Sequence, residues 1–359
     1  MDIRKLAERV LGTKFDFKIK EIQYGGAYVS YDGNSATVGG CSKTSLARAY
    51  MLLAKGIAEE EKAFELSQEA SFDTCGVMLD MSSGCVMKVE AVKKYLEYMA
   101  LHGMNMVMLY TEDTYEIEGY PYFGNQRGRY SLSELREIDD YAASLGIEVI
   151  PCIQTFGHLS KFLRYGVNNS IKENDAVLLP GSEETYTFID ACIKTCRNAF
   201  RSKRIHIGCD ETYGLGLGKT FARDGHRDKM EIFEMFNNHL NRVVDICQKY
   251  DFHPMMWSDM YFSLFVPNRS EDYGLEIEVP QHAINAMPDV DLVFWDYYHN
   301  FGKFYSVNIK KHFEFNRSML FAGGIWTWNG FVPNFRYTYE TVKPALEECL
   351  KYGVREVFG

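Results

Sequence analysis

The pattern of apolar and polar positions repeats as one unit along most of the chain. From Cys75 onward, a short apolar strand is followed by a polar loop and an amphipathic helix, and the same order returns up to Gly359. Such alternation is typical of parallel strands joined by helical crossovers. The predicted strands are Gly76–Asp80, Asn105–Tyr110, Glu148–Ile153, Arg204–Cys209, His253–Trp257, Leu292–Asp296, Leu320–Trp326 and Val354–Phe358.

Helices are predicted between most of these strands, each with an apolar stripe. Examples are Lys88–His102, Ser131–Leu145, Glu184–Phe200, Lys229–Tyr250 and Lys343–Tyr352. Eight strands with intervening helices in a segment of this length fit a (β/α)8 TIM barrel, whose usual size is about 250 residues. An open, doubly wound sheet is the rival α/β architecture. The barrel is favoured, partly because no glycine-rich phosphate loop follows the first strand.

Residues 1–70 follow a different pattern. The stretch "AYVSYDGNSATVGG" predicts two short strands around an Asp-Gly turn. A helix is predicted after it, from an apolar stripe at Leu46, Tyr50, Leu53 and Ile57. We therefore expect a small α/β domain over residues 1–70 and the barrel over residues 71–359. The sequence leaves open whether the small domain packs on the barrel or on a second subunit, as in a homodimer.

Composition and charge exclude several classes of partner. The formal net charge is −10, which argues against a nucleic-acid or anionic-membrane partner, because phosphate binding needs a basic face. The nine cysteines include no CxxC pair, which favours reduced thiols in a cytosolic protein. The first residues lack the apolar core of a signal peptide, and no apolar run is long enough for a membrane helix. We expect a cytoplasmic protein.

Polar and aromatic side chains follow the predicted strands at the end where a barrel carries its active site. They are Asp80, Glu112, Asp113, His158, Asp210, Glu211, Trp257, Asp259, Asp296, Tyr297, Tyr298, Trp326 and Trp328. Cleavage of a glycosidic bond needs a carboxylic acid that protonates the leaving oxygen and a second group that stabilises the developing positive charge. Aromatic faces stack on sugar rings. Carboxylates and aromatics together therefore predict carbohydrate chemistry. Of these residues, Asp210 and Glu211 are the candidate catalytic residues, and the others are candidate substrate-binding residues.

Structural interpretations of the same residues stay open. Asp80 could serve only as a strand-end cap, and Glu112 and Asp113 could belong to a solvated loop. Trp326 and Trp328 could be core residues. His158 could be a hydrogen-bonded interior histidine. For His206, which lies within the strand, the interior interpretation is favoured. A competing chemistry is a metal site that is formed by His158, Asp210, Glu211 and Asp259. It is disfavoured because no HxH motif lies at a strand end.

One motif resembles that of a known family. "HIGCDET", residues 206–212, resembles the HxGxDE signature of glycoside hydrolase family 20, the β-N-acetylhexosaminidases. The likeness extends in order through "CGVMLDMS", "MLYTEDTYEIEGYPYFG", "IPCIQTFGHL", "MMWSDMYF", "FWDYYH" and "GGIWTWNGF". It implies a (β/α)8 barrel without metal or cofactor. It also implies retaining hydrolysis in which the 2-acetamido oxygen of the substrate attacks its own anomeric carbon and forms an oxazolinium ion.

The resemblance also implies roles for individual residues. Glu211 is the expected general acid/base, and Asp210 orients the acetamido group. Tyr298, with Tyr297 as the alternative, hydrogen-bonds the acetamido oxygen. The remaining expected contacts are an aromatic box of Trp257, Trp326 and Trp328, and a supporting set of His158, Glu112 and Asp113, of which Asp113 reaches toward a sugar hydroxyl.

The sequence departs from the family pattern at three places. The arginine that many members carry near the end of the first strand is absent, and Cys209 replaces a glycine before the acidic pair. The predicted eighth strand, "VREVFG", is the last segment of the sequence, so we expect a barrel that is truncated there and closes poorly. The expected function is an exo-β-N-acetylhexosaminidase acting on terminal GlcNAc, with GalNAc as a second substrate. The alternatives are a non-catalytic or inactive sugar-binding barrel fragment and a metal-dependent barrel hydrolase.

Overall fold

The computed structural model describes residues 1–265 and 277–359. Two units of the chain are recognisable from their internal contacts. The first comprises Met1–Val77, Met87–Val107 and Glu134–Val149, and the second comprises Met78–Val86, Met108–Ser133 and Ile150–Gly359. The predicted boundary at residue 70 stays a prediction.

The N-terminal part of the first unit is a small α/β arrangement, as expected. Its elements are α1 (Ile3–Leu11), β1 (Lys18–Ile22), β2 (Ala27–Tyr31), β3 (Ser35–Gly39), α2 (Lys43–Ala58) and β4 (Phe64–Gln68). The sheet has the order β1-β3-β2-β4, and the predicted hairpin is β2–β3, which pairs antiparallel. In its turn, Asp32 accepts hydrogen bonds from the backbone N–H groups of Asn34 and Ser35 at 2.8 and 2.7 Å, which fixes the reversal.

Eight parallel strands form a closed barrel. They are β5 (Thr74–Asp80), β6 (Met106–Tyr110), β7 (Glu148–Cys152), β8 (Arg204–His206), β9 (His253–Trp257), β10 (Asp291–Trp295), β11 (Met319–Ala322) and β12 (Glu356–Phe358). They neighbour one another in chain order, and β12 lies beside β5. The (β/α)8 prediction is therefore confirmed, and the rival open sheet is wrong.

The expectation that the barrel closes poorly is wrong. Strand β12 pairs with β11 in parallel, with Phe321 opposite Val357. On its other side, the Met78 N–H donates to the Gly359 carbonyl at 2.9 Å. The short last strand therefore has a hydrogen-bonded neighbour on each edge.

Helices follow the barrel strands. They are α3 (Val89–Leu101), α4 (Leu132–Leu145), α5 (Ser160–Leu163), α6 (Glu183–Ala199), α7 (Lys219–Asp224), α8 (Lys229–Lys249), α9 (Asp259–Ser263), α10 (Gln281–Ala286), α11 (Gly302–Phe313) and α12 (Phe335–Tyr352), with a 3-10 helix at Gly166–Ile171. Helix α12 begins eight residues before the predicted start and contains Pro344. In the described ranges, no helix has the length and apolar character that crossing a membrane requires.

The barrel strands bury apolar side chains almost completely. Met108, Ile150, Ile205, Met256 and Val293 are all fully inaccessible to solvent. Strands β7 and β10 end one residue before the predicted position, whereas β8 ends well before it at His206 and β11 at Ala322. The residues that follow them leave the ladder and form the mouth described next.

Candidate active site

Left-handed backbone at the end of β8 directs the acidic pair into the barrel mouth. Gly208, Cys209 and Glu211 have φ angles of 72°, 70° and 45°, and a residue with a Cβ adopts this region only at an energetic cost. His158, in the loop after β7, has a φ of 55°. Such strain at adjacent loops is typical of functional sites, because the surrounding structure must hold it in place.

Asp210 is held by side chains from the loop after β7. The His158 Nε2 lies 3.0 Å from Asp210 Oδ2, and the amide of Gln154 donates to Asp210 Oδ1 at 3.0 Å. The same histidine nitrogen lies 3.6 Å from Glu211 Oε2. A single imidazole therefore bridges the two adjacent carboxylates.

The charges of this cluster follow from these contacts. Burial alone would lower the pKa of His158, but its hydrogen bond with Asp210 and the nearby carboxylates of Glu211 and Glu112 raise the pKa to about 9. Burial opposes ionisation of Asp210, yet the hydrogen bonds from His158 and Gln154 hold its pKa below the ordinary value. At neutral pH, Asp210 is a carboxylate and His158 an imidazolium.

Glu211 is fixed at both its side chain and its backbone. The Tyr213 hydroxyl donates to Glu211 Oε1 at 3.2 Å, and the Glu211 N–H donates to Asp259 Oδ2 at 3.1 Å. Asp259 is 7% exposed. Burial and the charge of Asp210 raise the pKa of Asp259 to about 7.

Glu112 and Asp113 point to different partners. The Tyr110 hydroxyl donates to Glu112 at 3.2 Å and accepts from Gln154 at the same distance, so Glu112 joins the chain of groups that leads to Asp210. Burial raises the pKa of Glu112. Asp113 is buried and lies 3.1 Å from the guanidinium of Arg127.

Aromatic side chains form one wall of the mouth. The rings of Trp326 and Trp328 stack with centroids 4.8 Å apart, and Tyr298 meets Trp326 edge-on at 5.6 Å. The Trp326 indole N–H donates to the Tyr297 carbonyl at 2.8 Å, and the Tyr337 hydroxyl donates to the Tyr298 carbonyl at 2.9 Å. Trp326 is buried, whereas Trp328 and Tyr298 are about half exposed, so the wall offers open aromatic faces.

Trp257 lies deeper, at the end of β9. Its ring packs against His206 at 4.4 Å and Phe358 at 6.2 Å. His206 is completely buried, and burial lowers its pKa to about 3, so it is a neutral interior histidine.

Asp80 and Asp296 bind their own turns. Asp80 Oδ1 accepts from the Ser82 N–H, the Ser82 hydroxyl and the Ser83 N–H at 2.7–3.0 Å. Asp296 accepts from the backbone of Tyr298 and His299, and from the Tyr305 hydroxyl at 2.9 Å. Hydrogen bonds of this kind cap a loop. The geometry therefore favours a structural, capping role for Asp80 and indicates a similar role for Asp296.

The structure adds residues that the sequence analysis did not select. They are Tyr110, Arg127, Gln154, Tyr213 and Tyr337. Tyr110 ends β6 and Gln154 follows β7 by two residues, so the rule that placed the carboxylates also applies to these two. No comparable signal marks Arg127 or Tyr337, because each reaches the mouth from a long loop or a helix.

Metal binding was the competing chemistry. Within residues 1–265 and 277–359, no group of three or more His, Cys, Asp or Glu side chains is arranged to hold a metal ion. His158 and Asp210 pair with each other. The Asp259 carboxylate faces the Glu211 backbone.

Known proteins resemble this chain in sequence. The model of "Glycosyl hydrolase family 20, catalytic domain" matches residues 72–271. Human "Hexosaminidase D" is 28% identical over 238 residues, which are 65% of this chain and 46% of that protein. The Bos taurus "Hexosaminidase D" is 29% identical over 201 residues, 54% of this chain and 55% of the relative. The chain thus spans about half the length of these relatives.

Solved structures share the fold. A β-N-acetylhexosaminidase structure superposes with a TM-score of 0.70 at 16% identity and covers 96% of this chain and 80% of its own. The family 20 enzyme of Streptomyces coelicolor A3(2) gives a TM-score of 0.66 at 16% identity, over 94% of this chain and 74% of its own. With the family model matching more than half of the sequence, the chain belongs to glycosyl hydrolase family 20.

Proposed function

We propose that this protein is an exo-β-N-acetylhexosaminidase that releases terminal, non-reducing β-linked GlcNAc, with GalNAc as a second substrate. The observation that carries the proposal is the adjacent pair Asp210 and Glu211, bridged by the His158 imidazole beside an aromatic wall. The two relatives compared above are named hexosaminidases, which supports the same substrate class.

The two carboxylates have separate tasks in this reaction. Asp210 is kept ionised by His158 and Gln154. It orients the 2-acetamido group and stabilises the positive charge that develops on the acetamido nitrogen. The acetamido oxygen attacks the anomeric carbon, the bond to the leaving oxygen breaks, and Glu211 gives that oxygen its proton. Water then opens the oxazolinium ion while Glu211 takes a proton back, so the anomeric configuration is retained.

The aromatic side chains supply the apolar surface. The stacked rings of Trp326 and Trp328 are proposed to contact the sugar and the acetamido methyl group. Trp257, which packs on His206, is proposed to line the bottom of the pocket. Tyr298 is proposed to hydrogen-bond the acetamido oxygen, with Tyr297 as the alternative. Tyr298 is 54% exposed, so its hydroxyl is accessible to a ligand.

Replacing Glu211 by Gln tests the proposal. With an aryl β-GlcNAc whose phenol is a poor leaving group, we expect kcat to fall at least about 100-fold, because general acid catalysis contributes about 10²–10⁴-fold. Glu183→Gln is the matched control, since Glu183 lies on α6 and pairs with Arg242 at 2.8 Å. Full activity in the Glu211 variant would refute the assignment. Sugar binding without any turnover by the unmodified chain would support the non-catalytic alternative instead.

Two further measurements separate the mechanisms. A GlcNAc-thiazoline mimics the oxazolinium ion, so we expect it to inhibit competitively, and indifference to it would reject substrate assistance. Activity that disappears with a chelator and returns with a divalent cation would favour the metal-dependent alternative. A cytoplasmic location and a homodimer stay predictions, which cell fractionation and sedimentation would test.

A further inference from the structure

Asp259 lies behind the acidic pair and contacts it through the main chain. It is the first residue of α9, directly after β9 and Ser258. Its side chain is 7% exposed, and its Oδ2 accepts the N–H of Glu211 at 3.1 Å. The contact therefore joins the loop after β9 to the loop after β8.

The Glu211 peptide needs such a contact. With a φ of 45°, Glu211 occupies the left-handed region, which is unfavourable for a residue with a Cβ and persists only where neighbouring groups hold it. A backbone N–H that turns away from solvent also needs an acceptor. An ionised carboxylate is a stronger acceptor than a neutral group. With a pKa of about 7, Asp259 is mostly ionised at pH 8, so it meets both needs there.

The other contacts of Glu211 act on different atoms. Tyr213 and His158 lie against its carboxyl oxygens at 3.2 and 3.6 Å, which orients the end of the side chain. The Glu211 carbonyl accepts the Tyr213 N–H at 2.6 Å. Asp259 is the partner of the Glu211 N–H, and so it holds the N-terminal side of this residue.

We propose that Asp259 is a positioning residue whose carboxylate holds the Glu211 backbone in the left-handed conformation that aims the Glu211 side chain at the leaving oxygen. This inference rests on the proposed function, in which Glu211 is the proton donor. In this proposal Asp259 acts through Glu211 and does not contact the substrate. The sequence analysis had instead grouped Asp259 with the candidate substrate-binding residues. Loss of Asp259 then impairs proton transfer and leaves sugar binding nearly intact.

The test uses two aryl β-GlcNAc substrates that differ in their need for protonation. The phenyl glycoside has a poor leaving group, and the 2,4-dinitrophenyl glycoside leaves without acid assistance. For Asp259→Ala, we expect kcat on the phenyl glycoside to fall about 10- to 100-fold, the range of a lost hydrogen bond to a charged group. On the dinitrophenyl glycoside we expect kcat/KM, which reports cleavage of the glycosidic bond and not the later attack of water, to fall less than about threefold. On the phenyl glycoside, KM should change by less than about threefold.

Asp259→Asn is the conservative variant, because its amide oxygen still accepts the Glu211 N–H. We expect the same selectivity for the poor leaving group with a smaller loss, roughly three- to tenfold, as a neutral acceptor is weaker. Should Asp259→Ala fail to fold by circular dichroism, the Asn variant carries the test. Equal losses on both substrates, or a rise in KM alone, would overturn the proposal.

Glu211→Gln, measured with the same two substrates, distinguishes this inference from the proposed function. If the Glu211 variant loses activity selectively on the phenyl glycoside and neither Asp259 variant does, the positioning role alone is refuted. If the Glu211 variant shows no such selectivity, the assignment of Glu211 as proton donor fails, and the positioning role fails with it.

Discussion

Raising the pH from 7 to 9 should destabilise this protein because it removes the proton of His158. In the folded state the pKa of His158 is about 9, above the ordinary value of 6.5. A group whose pKa is raised by folding stabilises fully below its unfolded pKa, and that stabilisation is lost as the pH rises through the folded pKa. The window of loss for His158 therefore lies between about pH 6.5 and pH 9.

The magnitude follows from the shift. One pKa unit corresponds to about 1.4 kcal/mol. Because His158 is still half protonated at pH 9, the free energy of unfolding should fall by about 2 kcal/mol between pH 7 and pH 9. The stabilisation comes from the His158 imidazolium, whose Nε2 lies 3.0 Å from Asp210 and 3.6 Å from Glu211. The lowered pKa of Asp210 arises from the same ion pair, so it contributes no separate free energy.

Urea unfolding of the wild type and of His158→Gln, monitored by tryptophan fluorescence with a reducing agent present, measures this effect. Cysteine thiols that ionise in the unfolded chain affect both proteins equally, so the difference between the two curves isolates His158. His102→Gln, which replaces an exposed histidine on the outside, is the matched control. Parallel pH dependence of the wild type and His158→Gln would refute the reasoning.

Two other substitutions test how the site is supported. Gly208 has a φ of 72°, and a Cβ at this position would clash with the Gln154 side chain and approach the Ile153 carbonyl oxygen to 2.9 Å. We therefore expect Gly208→Ala to lower kcat and to reduce the free energy of unfolding by roughly 1–3 kcal/mol. Gly84→Ala, with nothing within 4 Å, should change neither quantity, and equal behaviour of the two variants would contradict the argument. Trp326→Ala should cost about 3–5 kcal/mol because the ring is buried, whereas Trp328→Ala, at a half-exposed ring, should raise KM with a loss of stability below about 1 kcal/mol. Similar stability losses in both tryptophan variants, measured by urea unfolding, would refute this division.

The barrel was predictable because its strands are buried on both sides and read as short apolar runs with polar breaks. The end of β8 was not, since "IHIGC" continues an apolar pattern while the backbone at Gly208 and Cys209 turns left-handed and leaves the ladder. The bounds of helix α11 were not predicted either. Two of its buried positions are the polar residues Asn308 and His312, which interrupt the apolar stripe, and His312 is satisfied by Ser258 at 2.7 Å.

The candidate site was predictable in its members more than in their partners. The rule that strand ends face the mouth selects Asp80 and Asp296 as readily as Asp210, because an aspartate after a strand serves a turn or a ligand equally well. Only tertiary contacts separate the cases. Asp80 is bonded within its own loop, whereas Asp210 is bonded by His158 and Gln154 from a loop more than fifty residues earlier in the sequence.

The left-handed backbone at His158 and Glu211 links activity to the integrity of the whole barrel mouth. Each residue would relax to a more favourable conformation as soon as its neighbours loosen, and that relaxation needs no unfolding of the strands below. Thermal inactivation should therefore begin at a lower temperature than the loss of secondary structure. If the proposed function holds, turnover is a more sensitive reporter of local order in this protein than any spectroscopic measure of its fold.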